Sequence, residues 1–103
     1  MDDLSHRGLG LIEEAVCRHF CITARGLHGP RRTPPLTEAR CIAMALGYAM
    51  LQEVTSASIA NRIGRKRGAV KEAVKRVNAE PELLKAFHLI RKELNGDPAF
   101  RQL

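Results

Sequence analysis

Ile59-Ala60-Asn61-Arg62-Ile63-Gly64-Arg65-Lys66-Arg67-Gly68-Ala69-Val70-Lys71-Glu72-Ala73-Val74 holds two short apolar patterns at helical spacing with a glycine between them. Ala60 is small where two helices would have to cross closely. Gly64, four residues later, stands where a tight turn needs a residue free to take positive φ. Ile59, Ile63, Val70 and Val74 supply the apolar contacts that would fix the angle between the two helices. The pattern spells a helix-turn-helix whose second helix is strongly basic. A unit of that shape lays its second helix in the DNA major groove, so duplex DNA binding is the first expectation.

Working outward, the rest of the chain also reads as helix, and clean strand alternation is hard to find. Leu9, Ile12, Val16 and Phe20 fall on one stripe and predict a helix over about residues 9–21. Gly26, Gly29, Pro30, Pro34 and Pro35 then make a loop from Thr23 to Pro35, in which Thr23 is placed to cap a single helical turn through Leu27. Thr37 is the expected N-cap of a second long helix over about 38–52, with Glu38 favourable at its positive end and Ile42, Ala45, Leu46, Ala49 and Met50 as its buried stripe. Gly47 weakens that helix slightly. In the helix-turn-helix, about residues 56–78, Thr55 or Ser56 caps the first helix, which ends near Ile63, and the second runs from about Arg67 to Asn78. Pro81 suits the first turn of a C-terminal helix over about 81–94, carrying Leu83, Phe87, Ile90 and Leu94 and stopping at Asn95-Gly96. Asp97-Pro98 either starts a final turn or leaves a frayed tail. The expectation is an all-α fold of about five helices, one domain over residues 1–103.

With Val70 at the centre of the buried face, 100° steps put Ala73, Val74 and Val77 within about 60° of it. Gly68, Lys71, Glu72 and Lys75 point the other way, toward what a groove would meet. Lys71 and Lys75 suit phosphates or guanine edges, and Glu72 suits a cytosine amine. Lys66 and Arg67 sit at the helix start, where the macrodipole and free N–H groups attract phosphate. Gly68 has no side chain to hold the helix off DNA. Ser56, at the start of the first helix, and Arg65, in the turn, complete this set of DNA-binding candidates. In a generic helix Lys71, Glu72 and Lys75 would read as a solvated face. The apolar frame and glycine just upstream favour the groove. A second candidate is the pair Arg31-Arg32, held between Pro30 and Pro34-Pro35, because an arginine on a stiff loop suits a narrow minor groove.

From Val16 to Leu46 the residues go further. Val16 with Phe20 and Ile22, then Leu27, Arg31-Arg32, and above all Ala39-Arg40-Cys41-Ile42-Ala43-Met44-Ala45-Leu46 resemble the C-terminal DNA-binding domain of DnaA, the bacterial chromosomal replication initiator. The register runs without a gap, and the resemblance covers about residues 10–78. It implies a helical domain akin to the Trp repressor, cytoplasmic and bacterial, that binds duplex DNA sequence-specifically in replication initiation or transcription regulation. By position it implies that Arg32 enters the minor groove, that Arg40 contacts a phosphate, and that Arg76 is a basic residue late in the recognition helix. The family reads its sites with Gly-Gly-Arg-Asp-His-Thr-Thr-Val. Here the matching stretch is Gly64-Arg65-Lys66-Arg67-Gly68-Ala69-Val70, one residue shorter and without the Asp, the His or either Thr, so the base-reading residues do not carry over. The sequence has no Gly-x-x-x-x-Gly-Lys-[Ser/Thr] phosphate loop, so neither nucleotide binding nor origin melting by the family's route is expected.

Composition agrees with a polyanionic partner: 17 Lys and Arg against 11 Asp and Glu give a formal charge of +6. Only 4% of residues are aromatic, which leaves few rings for stacking exposed bases and favours duplex over single strands. Three cysteines and an acidic, non-apolar start point to reduced thiols in the cytoplasm, and nothing approaches a membrane span. Cys17, Cys21 and Cys41 are expected as small core residues, and His6 and His88 at the surface or rim. No metal, cofactor or catalytic constellation is expected. A homo-oligomer is left open. The rival reading is a protein-interaction adaptor that keeps the shape without DNA.

Overall fold

The computed structural model describes residues 2–103. Seven helices follow one another: α1 (Asp2–Phe20), α2 (Ala24–His28), α3 (Pro34–Met50), α4 (Ser56–Arg62), α5 (Gly68–Ala79), α6 (Pro81–Asn95) and α7 (Pro98–Arg101). The fold is all-α, with α2 and α7 added as single turns to the five helices expected. Their caps are local and legible. Thr23 Oγ1 accepts from Gly26 N at 3.0 Å, Thr55 Oγ1 from Ser58 N at 3.1 Å, and Asp97 Oδ1 from Ala99 N at 2.9 Å. Of the two residues expected to cap α4, Thr55 does so.

Two boundaries differ from the sequence expectation. Helix α1 begins seven residues before Leu9, and Gly8 lies buried against Leu51 from the far end of α3. Helix α3 starts at Pro34, with Thr33 as N-cap residue, and not at Thr37. Tandem prolines break a helix interior, but in the first turn their missing N–H groups lose nothing and their fixed φ is already helical. Thr37 therefore lies inside the helix, its hydroxyl donating to the Pro34 carbonyl at 3.0 Å.

Helix α3 runs through the middle and touches α1, α2, α4, α5 and α6. Its buried residues are a band, Ala39, Arg40 and Ile42 through Gly47, and not the single stripe expected; Ala49 and Met50 are only half-buried. A helix covered on all sides must be apolar on all sides. Small residues let its neighbours approach: a Cβ on Gly47 would stand 3.3 Å from both Ile59 and Leu9. Around it pack Leu9, Ile12 and Val16 of α1, Leu27 of α2, Ile59 of α4, Val70, Ala73 and Val77 of α5, and Leu83, Phe87, Ile90 and Leu94 of α6. One continuous core thus fixes α4 and α5 against α3.

The α4–α5 turn is a Schellman motif. Arg65 N donates to Ala60 O at 2.8 Å and Gly64 N to Asn61 O at 3.0 Å, with Gly64 at φ 76°. Space is not the constraint there, since a Cβ would meet only the His28 carbonyl at 3.9 Å. Gly64→Ala should therefore act through backbone strain alone, costing about 1–2 kcal/mol and lowering Tm by roughly 5–10 °C in a thermal melt.

Candidate nucleic-acid interface

Two neighbouring helices with a bend at Gly64 bring α5 to the surface along its full length. Val70, Ala73 and Val77 face α3, while Gly68, Lys71, Glu72 and Lys75 are exposed, as the 100° projection predicts. No side chain caps the start of α5 at Arg67. Lys66 and Arg67 are exposed beside it. Three arginines are matched by carboxylates: Arg18 by Glu93, Arg62 by Glu13 and Arg76 by Glu80. Among the described residues none of Lys66, Arg67, Lys71 and Lys75 pairs with a carboxylate.

A groove runs along each side of α5. One, of about 520 Å³, is lined by Ser56, Arg67, Gly68, Lys71 and Lys75 with Tyr48 from α3. The other, of about 480 Å³, lies between α5 and the start of α3 and brings together Arg32, Thr37, Arg65, Glu72 and Arg76. Arg32 and Arg65 come from segments 33 residues apart in sequence (65 minus 32), joined only by the fold. Arg31 is exposed on the same stiff loop, and Arg65 is half-buried with its Nη1 3.2 Å from the Gly64 carbonyl.

Arg40, which the resemblance places on a phosphate, is only 2% exposed, although it lines the same groove as Arg32 and Arg65. Its Nε donates to Leu27 O at 2.8 Å, its Nη2 to Gly26 O at 2.9 Å and Gly29 O at 2.8 Å, and its Nη1 to Arg31 O. Four of five N–H groups are thus spent on carbonyls of the loop that carries Arg31 and Arg32. Burial, and then repulsion from Arg65 and Arg32, lowers its pKa below the ordinary arginine value. Arg40 shapes the arginine loop from beneath.

Arg76 Nε donates to Glu80 at 2.7 Å in a part-exposed ion pair, and its Nη1 lies 3.8 Å from Cys41 Sγ. It lines the groove wall with Arg32 and Glu72.

Sequence reading missed a polar tie behind the interface. Glu13 is 6% exposed inside α1. Its carboxylate accepts from Arg62 Nε at 2.7 Å and lies 3.1 Å from His28 Nε2. His6, exposed, reaches the same arginine, its Nδ1 3.0 Å from Arg62 Nη1. The cluster ties α1, α2 and α4 together and so orients the first helix of the pair. Glu13 sits off the apolar stripe, and only the chain's return shows its burial. The cysteines are free thiols, Cys17 and Cys41 half-buried. Cys21 is exposed, against the core expectation, and ends α1 in the left-handed region at φ 55°. Among the described residues no three His, Cys, Asp or Glu side chains converge as metal ligands, and no helix is long and apolar enough to cross a membrane.

The family of the bacterial DnaA protein helix-turn-helix matches residues 10–77 of the chain. That span runs from α1 into the last turn of α5 and includes both grooves. Among curated proteins none matches the chain closely enough to count as a relative. The match covers well over half the chain and coincides with the basic helix, the turn and the arginine loop described above: the protein belongs to the family of bacterial DnaA helix-turn-helix domains, which bind double-stranded DNA.

Proposed function

We propose that this protein occupies specific duplex sites with α5 in the major groove and the Arg31-Arg32 loop in the adjacent minor groove, serving replication initiation or transcription regulation. The observation that carries this reading is a set of exposed cations without a carboxylate partner among the described residues, Lys66 and Arg67 at the start of α5 and Lys71 and Lys75 on its outer side, beside a fixed bend. In this arrangement Lys66 and Arg67 grip phosphates at the start of α5. Lys71 and Lys75 face the groove, with Gly68 allowing close approach. Ser56 and Arg65 flank them, and Glu72 lines the same groove as Arg32 and Arg65, where it suits a cytosine amine. The usual family site is not the expected target, because Gly64 to Val70 lacks the family's base-reading residues.

Anisotropy of a labelled random duplex tests the reading at its base. Affinity should be readily measured at low salt and fall steeply as salt rises, with a log–log slope of roughly −0.9 per neutralised phosphate. Selection from a random pool should then yield a preferred site. Arg32→Ala should chiefly reduce preference for A·T-rich flanks in that pool, where a narrow minor groove attracts arginine. No binding to any duplex at low salt would instead leave the adaptor reading standing.

A further inference from the structure

Tyr48 is 58% exposed, although it follows directly on the buried run Ile42 to Gly47 of the central helix. An exposed aromatic ring on the most buried helix calls for a reason in what it faces. It borders two clefts: with α5 it lines the 520 Å³ groove, and with Val77 and Phe87 it lines a second cleft of about 470 Å³ that has no lysine among the described residues. Val70 and Val74 give the 520 Å³ groove an apolar floor, and Arg67, Lys71 and Lys75 give it a cationic rim. Among the described residues no carboxylate lines it, whereas Glu72 lines the groove on the other side of α5. Leu89, the other large apolar side chain left exposed among the described residues, is on α6 and lines no part of it.

We infer that Tyr48 is a DNA-contacting residue, seating the sugar–phosphate strand that borders the major groove entered by α5. The inference rests on the groove reading of α5 and extends the interface to α3. The chemistry of the groove fits that one occupant. A deoxyribose presents apolar carbons to a ring and a valine floor, while its two phosphates meet the arginine and the lysines. The hydroxyls of Tyr48 and Ser56 add neutral donors of the kind that fix a protein's register on a backbone. A purely apolar partner would leave three cations unpaired, which the absence of any acid in the groove makes costly.

The chain has one tyrosine and no tryptophan, so replacing tyrosine by 3-fluorotyrosine gives a single ¹⁹F resonance that reports on Tyr48 alone. The labelled protein is titrated with a random duplex of about 20 base pairs at low salt, where binding needs no preferred sequence, and anisotropy is read in parallel. The resonance should move in step with the anisotropy. Tyr48→Ala should weaken binding roughly fivefold to tenfold, and Tyr48→Phe roughly twofold, with Tm unchanged because the side chain is exposed. A rise in anisotropy with an unmoved resonance, or wild-type affinity in Tyr48→Ala, overturns the assignment while leaving DNA binding intact. A resonance that moves with protein concentration alone gives the face to a second copy of the chain and overturns it as well. If anisotropy never rises, the DNA reading fails and Tyr48 fails with it.

Discussion

Arg40→Ala should lose about 3 kcal/mol of folding stability in urea denaturation followed by helical circular dichroism. The guanidinium donates to the carbonyls of Gly26, Leu27, Gly29 and Arg31, and among the described residues no other side chain donates to those four acceptors. Hydrogen bonds from a charged donor contribute about 1.5–3 kcal/mol each, and a shared donor makes them less than additive. For a small domain whose total stability is about 5–15 kcal/mol, the loss is large. Arg40→Lys decides between shaping the loop and holding a phosphate. A lysine keeps the charge but has three donors at one point, which cannot span carbonyls on a planar fork. Arg40→Lys should therefore lose nearly as much stability as Arg40→Ala. Duplex affinity should fall with it, because Arg31 and Arg32 are no longer held. Full stability in Arg40→Lys, with binding retained, would return Arg40 to the phosphate.

The second large effect falls on binding alone. Lys71→Ala combined with Lys75→Ala should weaken duplex binding roughly 30- to 100-fold at low salt, about 2–3 kcal/mol, with the salt slope shallower by about 2. Both side chains are exposed and unpaired among the described residues, so stability should change by no more than about 0.5 kcal/mol. Arg76→Ala is the natural contrast on the same helix. It pairs with Glu80 at 2.7 Å, so its removal should cost less affinity than either lysine. Affinity unchanged in the double variant would take α5 out of the groove.

The two experiments separate the two kinds of arginine and lysine in this chain. Lys71 and Lys75 are available because nothing folds onto them. Arg40 and Arg62 are consumed because the chain returns over them. Formal charge does not distinguish these cases; the burial of Arg40 at 2% exposure does.

Much of the fold was legible in the residues because its signals are local. The caps at Thr23, Thr55 and Asp97 span no more than three residues, as does the pairing of Gly64 N with Asn61. The stripe Leu83, Phe87, Ile90 and Leu94 needs only a helical period, and the sequence by itself determined α6 and the outward face of α5 on that basis. The bend at Gly64 belongs to the same class, since positive φ is a property of one residue.

Only the tertiary structure decided which polar groups meet. Glu13 and Arg62 are 49 residues apart, and Arg40 bonds carbonyls 9 to 14 residues upstream. Pro34-Pro35 became the first turn of α3 because Arg40 and the core fix where that helix must lie, and Tyr48 lines a groove with α5 because α3 passes behind that helix. A side chain's type sets what it can donate or accept. Whether water, a carbonyl or a phosphate takes that bond depends on which distant segment comes to lie against it, and short-range pattern carries no record of that.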